Sequence, residues 1–250
     1  MKILALDSSG LVASVALVQD GILLGEYTIN HKKTHSQTLL PMLEQLKGMT
    51  ELDLEEVDAI ALAAGPGSFT GLRIGSATAK GLGLALGKPL VEVPTLEGLA
   101  YQLYGTDKLV CPLMDARRNQ VYTGIYEFVK EEKTGGQMHL KELLGQCAVD
   151  IRAVIARINE FGRDGREVIF LGDGVPVYGQ IIGEEMQIPY SFAPAHRSRQ
   201  SAAAVAALAE VYYKEGKLVS AAEHQPDYLR LSQAERERNE AAHGEGTQDA

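Results

Sequence analysis

Four short stretches hold the residues able to do chemistry. Asp7-Ser8-Ser9-Gly10 ends the apolar run Ile3 to Leu6. The segment AAGPGSFTGLRIG, Ala63 to Gly75, sets a glycine turn between the apolar run 57–63 and a helix-like stretch over 72–86. Asp115-Ala116-Arg117-Arg118-Asn119 again puts an aspartate after an apolar run, and Gly172-Asp173-Gly174 follows a third. A strand, a glycine loop and a helix can hold a phosphate, because the first backbone N–H groups and the positive end of the helix dipole face the loop. The known phosphate motifs do not fit. The fifth residue after Gly65 is Thr70 with no lysine following, and Gly71 falls one place late for G-x-G-x-x-G. A tight turn whose glycines supply positive φ is the preferred reading of the loop, and a backbone anion site is the alternative.

Two other patterns call for a reading. His31 and His35 are four apart, the spacing of a metal pair on one helix. They straddle the start of a helix, however, so a surface histidine and a helix-entry histidine are expected. In the helix over 72–86 and its lead-in, Gly71, Gly75, Ala79, Gly83 and Gly87 recur every fourth residue. Several helical glycines cost roughly 3 kcal/mol against alanine, so close packing must offset them. The close neighbour is either this chain's own core or a second subunit. On the second reading, Leu39, Leu43 and Leu46 of a helix over 36–47 join Gly71, Gly75, Ala79 and Gly83 in half of an intersubunit bundle.

The elements that position these residues alternate strand and helix. Residues 2–30 read as three strands in an antiparallel meander, with Gln19-Asp20-Gly21 as a hairpin turn. Then come the 36–47 helix, the 57–63 strand, the 72–86 helix, a strand over 90–93 and a short helix over 96–104. Near residue 106 the strand–Asp–turn–strand pattern restarts, with strands over 109–114 and 121–129. Residues 130–136 read as a polar loop, 151–161 as a helix, 168–171 as a strand and 201–213 as an alanine-rich helix. The repeat implies two related α/β lobes: 1–105, with a C-terminal helical region over 198–231 packing back on it, and 106–197. Residues 233–250 are charged and poor in large apolar groups, which predicts a disordered tail.

Composition narrows the function classes. Against 24 basic side chains stand 33 acidic ones, a net charge of −9, so the chain is a poor binder of nucleic acid on its own. Cys111 and Cys147 form no disulfide or zinc pattern. The N-terminus turns acidic too soon for a signal peptide, and no apolar run approaches the ~20 residues that span a bilayer. A cytoplasmic protein without membrane contact is expected.

The order and spacing of Asp7-Ser8-Ser9, His35-Ser36 with Leu39-Leu40-Pro41, the 64–75 segment, Asp115-Ala116-Arg117-Arg118 and Gly172-Asp173-Gly174 closely resemble the TsaB (YeaZ) family, from Met1 to about Leu231. The resemblance implies an actin-like ATPase-superfamily (ASKHA) fold. It implies a non-catalytic subunit that binds and stabilises the transferase TsaD, which makes threonylcarbamoyladenosine beside the anticodon of ANN-decoding tRNAs. It further implies a heterodimer with TsaD through N-terminal-lobe helices, TsaE in a ternary complex, a homodimer when alone, and tRNA contact only through the complex. TsaD holds a metal with a His-x-x-x-His pair. Aligned on Glu97-Gly98, Thr95 and Leu99 stand at those places, and leucine cannot bind a metal. No cofactor, metal or catalytic residue is therefore expected. In active members of the superfamily the first aspartate holds a nucleotide's Mg²⁺. That makes Asp7, Ser8 and Ser9 a possible nucleotide site and an independent ATPase the rival function, with a turn-capping Asp7 preferred. Asp115 carries the same two readings, and Gly172-Asp173-Gly174 could approach an adenosine, a plain turn being preferred. Neither H-E-x-x-H nor G-x-S-x-G occurs, so peptidase activity is not expected.

Overall fold

A computed structural model describes residues 1–31, 33–130, 138–162 and 165–230. Most of the expected polar loop (131–136) and the expected disordered tail over 233–250 lie outside the described residues. The chain forms two five-stranded mixed sheets. The first is built from β1 (Lys2–Asp7), β2 (Ala13–Gln19), β3 (Ile22–Ile29), β4 (Ala59–Gly65) and β5 (Leu90–Pro94), in the order β3-β2-β1-β4-β5. Helices α1 (His35–Met49), α2 (Phe69–Leu86) and α3 (Thr95–Tyr101) connect or follow its strands. The second half repeats the plan with β6 (Leu109–Asp115), β7 (Gln120–Lys130), β8 (Met138–Asp150), α4 (Ile151–Phe161), β9 (Val168–Leu171), α5 (Val175–Glu185), β10 (Tyr190–Phe192) and α6 (Ala202–Lys214). Its sheet order, β10-β9-β6-β7-β8, is the first order under the substitution of each strand by its counterpart. The senses match as well: β1–β2 and β6–β7 are antiparallel, β1–β4 and β6–β9 parallel. The result is a two-lobed α/β architecture in which one strand plan occurs twice.

Strands β1, β2 and β4 of the first sheet are buried on both faces, while the edge strand β3 is largely exposed, and strand alternation sorts the buried side chains by size. Leu4, Leu6, Val15, Leu17, Ile60 and Leu62 point to the layer of α1 and α2, where Leu39, Leu46 and Ala79 meet them. Ala5, Ala16, Ala59 and Ala61 point the other way, onto Ala202, Val205, Ala206 and Ala209 of α6. Small residues on both sides bring this helix close to the sheet. Its N-terminus is capped by the first lobe. The Ser14 hydroxyl accepts from Ala202 N–H at 2.9 Å, and the Glu26 carboxylate accepts from Ala203 N–H at 3.1 Å and from the Ser201 hydroxyl at 2.7 Å. By topology α6 ends the second half, yet it covers the first sheet. In exchange α3, which ends the first half, packs Leu96, Leu99 and Ala100 against Val110, Tyr126 and Phe128 of the second. The two crossed helices fasten the lobes together.

Helix α6 stops at Lys214, so the helical region expected over 198–231 is a helix only over 202–214. The chain from 215 to 230 runs as an irregular strap along α2. Three elements do not show in the residue pattern. Strand β8 carries Leu140, Leu143 and Leu144 at helix-like spacing, and its pairing with β7 shifts register near Thr123 to Tyr126. Helix α5 contains a proline in its first turn and two glycines, and β10 has three residues. Helix α2 begins at Phe69, ahead of the expected 72, because Ser68 caps it: its side chain accepts from Gly71 N–H at 3.3 Å.

Two glycine substitutions separate the roles of glycine in α2. A Cβ on Gly71 would lie 2.0 Å from the backbone oxygen of Ser8, whereas a Cβ on Gly81 meets nothing within 4 Å. Gly71→Ala is expected to destabilise the fold by about 3 kcal/mol. Gly81→Ala is expected to stabilise it by about 1 kcal/mol. Urea unfolding of both variants checks the pair, and equal effects would contradict it.

Candidate functional site

The turns after β1, β4, β6 and β9 all lie at the carboxyl ends of their strands and face one cleft between the lobes, where open α/β sheets place ligands. The cleft has a volume of about 890 Å³. Ser9, Gly10, His35 and Ser68 line it from the first lobe, and Asp115, Arg117 and Asp173 from the second.

Inside it the first-lobe turns are locked to each other. Asp7 is 3 % exposed and accepts from both the N–H and the hydroxyl of Ser9, at 2.9 and 2.7 Å. Burial raises its carboxyl from 3.8 to about 6. Ser8 donates to the Gly71 carbonyl at 2.9 Å, and Ser68 N–H donates to the Ser9 carbonyl at 2.7 Å. A Cβ on Gly67 would lie 2.3 Å from that carbonyl. Two N–H groups that a phosphate would use, those of Ser68 and Gly71, are already bonded within the chain. A buried carboxylate turned onto Ser9 does not suit a hydrated Mg²⁺, and the donor set fits a magnesium nucleotide poorly. Gly65 has φ +133°, and a Cβ there would lie 2.1 Å from the Asp227 carbonyl. The loop glycines thus serve backbone-to-backbone packing.

The second-lobe turns are similarly tied. Arg117 N–H and the Tyr178 hydroxyl donate to Asp115 at 2.9 and 3.1 Å. Asp115 N–H donates to Asp173, whose carboxyl burial pushes above the ordinary range. Arg117, Arg118 and Asn119 follow one another with φ of 61°, 57° and 60°, a left-handed run that costs roughly 1–2 kcal/mol per residue. His31 lies in the loop before α1 and His35 is its first residue, so they do not share a helix. The His35 ring donates from Nε2 to the Gly10 carbonyl at 2.8 Å. Thr95 accepts from Gly65 N–H at 3.1 Å, and Leu99 is buried between the lobes. Those positions present one committed hydroxyl and a hydrocarbon. Gln146 of β8 joins the same junction, accepting from Leu96 N–H at 3.0 Å and donating to the Gly65 carbonyl at 3.3 Å.

The glycine stripe packs on its own chain. Gly71 and Gly75 would drive a Cβ into Ser8, Ala79 is fully buried in the core, and Gly83 sits against Ala221 and Leu90. Leu39, Leu43 and Leu46 are buried in the same core. These residues support the helix pair from beneath. What the pair presents outward is a second set: Leu40 and Met49 on α1, and Ala77, Gly81, Leu84 and Ala85 on α2, all exposed.

One constellation has no signature in the sequence. His224 of the strap is 1 % exposed, and its Nε2 lies 2.9 Å from the Ser76 hydroxyl on α2. Its Nδ1 pairs with the Glu92 carboxylate on β5. A hydroxyl, an imidazole and a carboxylate in series is the order of a hydrolytic triad. Here the hydroxyl is on a residue only 5 % exposed and does not line the inter-lobe cleft. The series acts as a fastener. Lys80 donates to the carbonyls of Ala222 and His224, Arg73 to the Tyr228 hydroxyl, and Asp227 N–H to the Ala64 carbonyl. Arg230 then reaches the Ala116 carbonyl of the second lobe at 2.7 Å.

The family model described as TsaD: tRNA N6-adenosine threonylcarbamoyltransferase matches residues 23–238. The tRNA threonylcarbamoyladenosine biosynthesis protein TsaB of Bacillus subtilis is 33% identical over 94% of this chain and 96% of its own. The TsaB of Haemophilus influenzae is 30% identical over 92% and 94%. The chain belongs to the TsaB family. YeaZ from Pseudomonas aeruginosa superposes with a TM-score of 0.72 at 29% identity, covering 91% of this chain and 99% of that one. TsaB membership places the chain in tRNA threonylcarbamoyladenosine biosynthesis. No helix among its described residues is long and apolar enough to cross a membrane.

The buried Asp7 has a pH signature. A carboxyl raised from 3.8 to about 6 holds its proton more tightly in the folded chain than in the unfolded one. Its contribution to stability is therefore full at acid pH and is lost as pH rises through about 6. Asp7→Asn keeps an acceptor for Ser9 without that charge. Its stability relative to the parent should rise by about 2 kcal/mol from pH 4 to pH 7. Urea unfolding at the two pH values checks this, and a constant difference would contradict it.

Proposed function

We propose that this chain is a non-catalytic scaffold that binds and stabilises TsaD for threonylcarbamoylation of the adenosine beside the anticodon of ANN-decoding tRNAs. The observation that carries the reading is Gly81. It lies mid-helix, exposed, with nothing within 4 Å of its Cβ position. A helical glycine costs about 1 kcal/mol against alanine, and at this place nothing within the described chain requires one. A helix of another subunit approaching α2 supplies the requirement. The surrounding exposed residues suit such a contact, since Leu40, Met49 and Leu84 offer apolar area beside Ala77 and Ala85.

The same face serves a homodimer in the absence of TsaD, and TsaE joins the heterodimer. With 33 acidic against 24 basic side chains, tRNA is met through the complex, in the cytoplasm. The chain itself carries neither transferase nor peptidase activity. Thr95 and Leu99 lack the ligands of a metal pair, and the Ser76 hydroxyl is closed to substrate. The rival reading, a nucleotide hydrolase, rests on the inter-lobe cleft, and the inward-turned Asp7 weighs against it.

Size-exclusion chromatography with light scattering, with and without TsaD of the same organism, tests the proposal. A heterodimer should displace the homodimer. Gly81→Trp should weaken the complex by about 100-fold while the isolated chain stays folded, as circular dichroism reports. Assembly unaffected by Gly81→Trp would reject the α2 face as the interface. Saturable binding of ATP with Mg²⁺, abolished by Asp7→Ala, would favour the hydrolase.

A further inference from the structure

On the side of the molecule away from the cleft, α3, β7, β8 and the end of α6 enclose a second cavity of about 610 Å³. Tyr101, Tyr126 and Tyr212 line it together with Glu97 and Glu142. Tyr126 is 0 % exposed, and its hydroxyl has no hydrogen-bond partner among the described residues. An unpaired buried hydroxyl is costly. The charges that act most on this one are those of Glu97 and Glu142, and Glu142 is its cross-strand neighbour on β8, so the hydroxyl faces the carboxylates of the cavity. Glu97 is part-buried and accepts from the Tyr212 hydroxyl. Burial, and after it the neighbouring Glu142, raise its carboxyl above the ordinary range against the Tyr212 hydrogen bond and the Lys217 charge.

A buried acceptor, two carboxylates and three electron-rich rings are the groups that bind an organic cation, by hydrogen bonds, ion pairing and cation–π contact. The rim already shows one such contact. The Lys217 ammonium lies 4.2 Å from the centroid of the Tyr212 ring, while its ion-pair partner is Glu215 at 2.8 Å. Lys217 lines the cavity with Lys214 and His139 but is paired to Glu215, and the Tyr126 hydroxyl stays unpaired. We infer that this cavity binds a small organic ammonium, held by Tyr126, Glu97 and Glu142 among the faces of Tyr101 and Tyr212. The volume lies within the range of small-molecule sites.

An ammonium of this kind is either a free amine or the end of a lysine side chain. Titration calorimetry of the full chain separates them, with spermidine as one probe and Nα-acetyl-lysinamide as the other. The chain has ten tyrosines and no tryptophan, so tyrosine fluorescence gives an independent reading. Saturable binding of either probe is expected, weakened about tenfold or more by Glu97→Gln and by Tyr126→Phe. The thermal midpoint of unliganded Tyr126→Phe should be unchanged or higher, because the change removes an unpaired hydroxyl. Glu44→Gln, on exposed α1, should leave binding intact. The inference is overturned if neither probe saturates, if Tyr126→Phe binds as the parent does, or if Glu44→Gln weakens binding as much as Glu97→Gln, since that would mark general attraction to an acidic surface.

Discussion

The approach of α2 to the turn after β1 sets the geometry of the first lobe. Three glycines, Gly67, Gly71 and Gly75, face Ser8 and Ser9 at distances that admit no Cβ, with backbone oxygens opposite Gly67 and Gly71. A backbone atom cannot swing aside as the end of a side chain can, so the spacing of helix and turn is fixed by covalent geometry. Asp7 is sealed beneath this contact, which is why its carboxyl loses water and gains only the two donors of Ser9. The contact also fixes which face of α2 meets the strap and which meets solvent. The glycine loop resembles a phosphate cradle in sequence because both uses need backbone without side chains. They differ in what approaches, and here it is the chain itself.

The lobes are joined by exchange. Each half ends in a helix that covers the other half's sheet, and the residue sizes match: alanines of α6 against alanines of β1, β2 and β4, leucines of α3 against Tyr126 and Phe128. Dispersion and burial act over the whole of such a contact, whereas the polar junctions around Gln146 and Arg230 act at points. The halves therefore have limited freedom to hinge, and the cleft between them is bordered by turns already bonded within the chain.

Much of this plan is legible from residues alone. The alternating runs place thirteen of the sixteen strands and α-helices of the described residues in order, and the two Asp-bearing turns announce the duplication. The C-terminal ends of the strands are legible too, because Gly, Ser and Asp cluster where the chain must turn. The elements that escape are those whose stability comes from neighbours. Strand β8 has a helix-like leucine spacing and is held as a strand by pairing along β7. Helix α5 is short and carries two glycines, and β10 takes its form from β9. The His224 fastener escapes for another reason. Its three members come from α2, β5 and the strap, far apart in sequence, and nothing local marks any of them.

The small-residue stripe is the most instructive case, because its periodicity is real and its direction is not in the sequence. Helix α2 has small residues on more than one side. Gly71, Gly75, Ala79 and Gly83 turn inward, the three glycines each answered by a named atom of the same chain and Ala79 fully buried. Ala77, Gly81 and Ala85 turn outward, four residues apart in the same way; all three are exposed, and a Cβ at Gly81 would meet nothing within 4 Å. A period of four identifies a face that can be approached closely but not what approaches it. The distinction is energetic. An inward glycine is balanced by core packing that a Cβ would destroy, whereas an outward glycine leaves its conformational cost unbalanced in the isolated chain. On the scaffold reading that cost is offset on assembly. The surface position with the weakest intramolecular reason for its residue then becomes the strongest pointer to a partner.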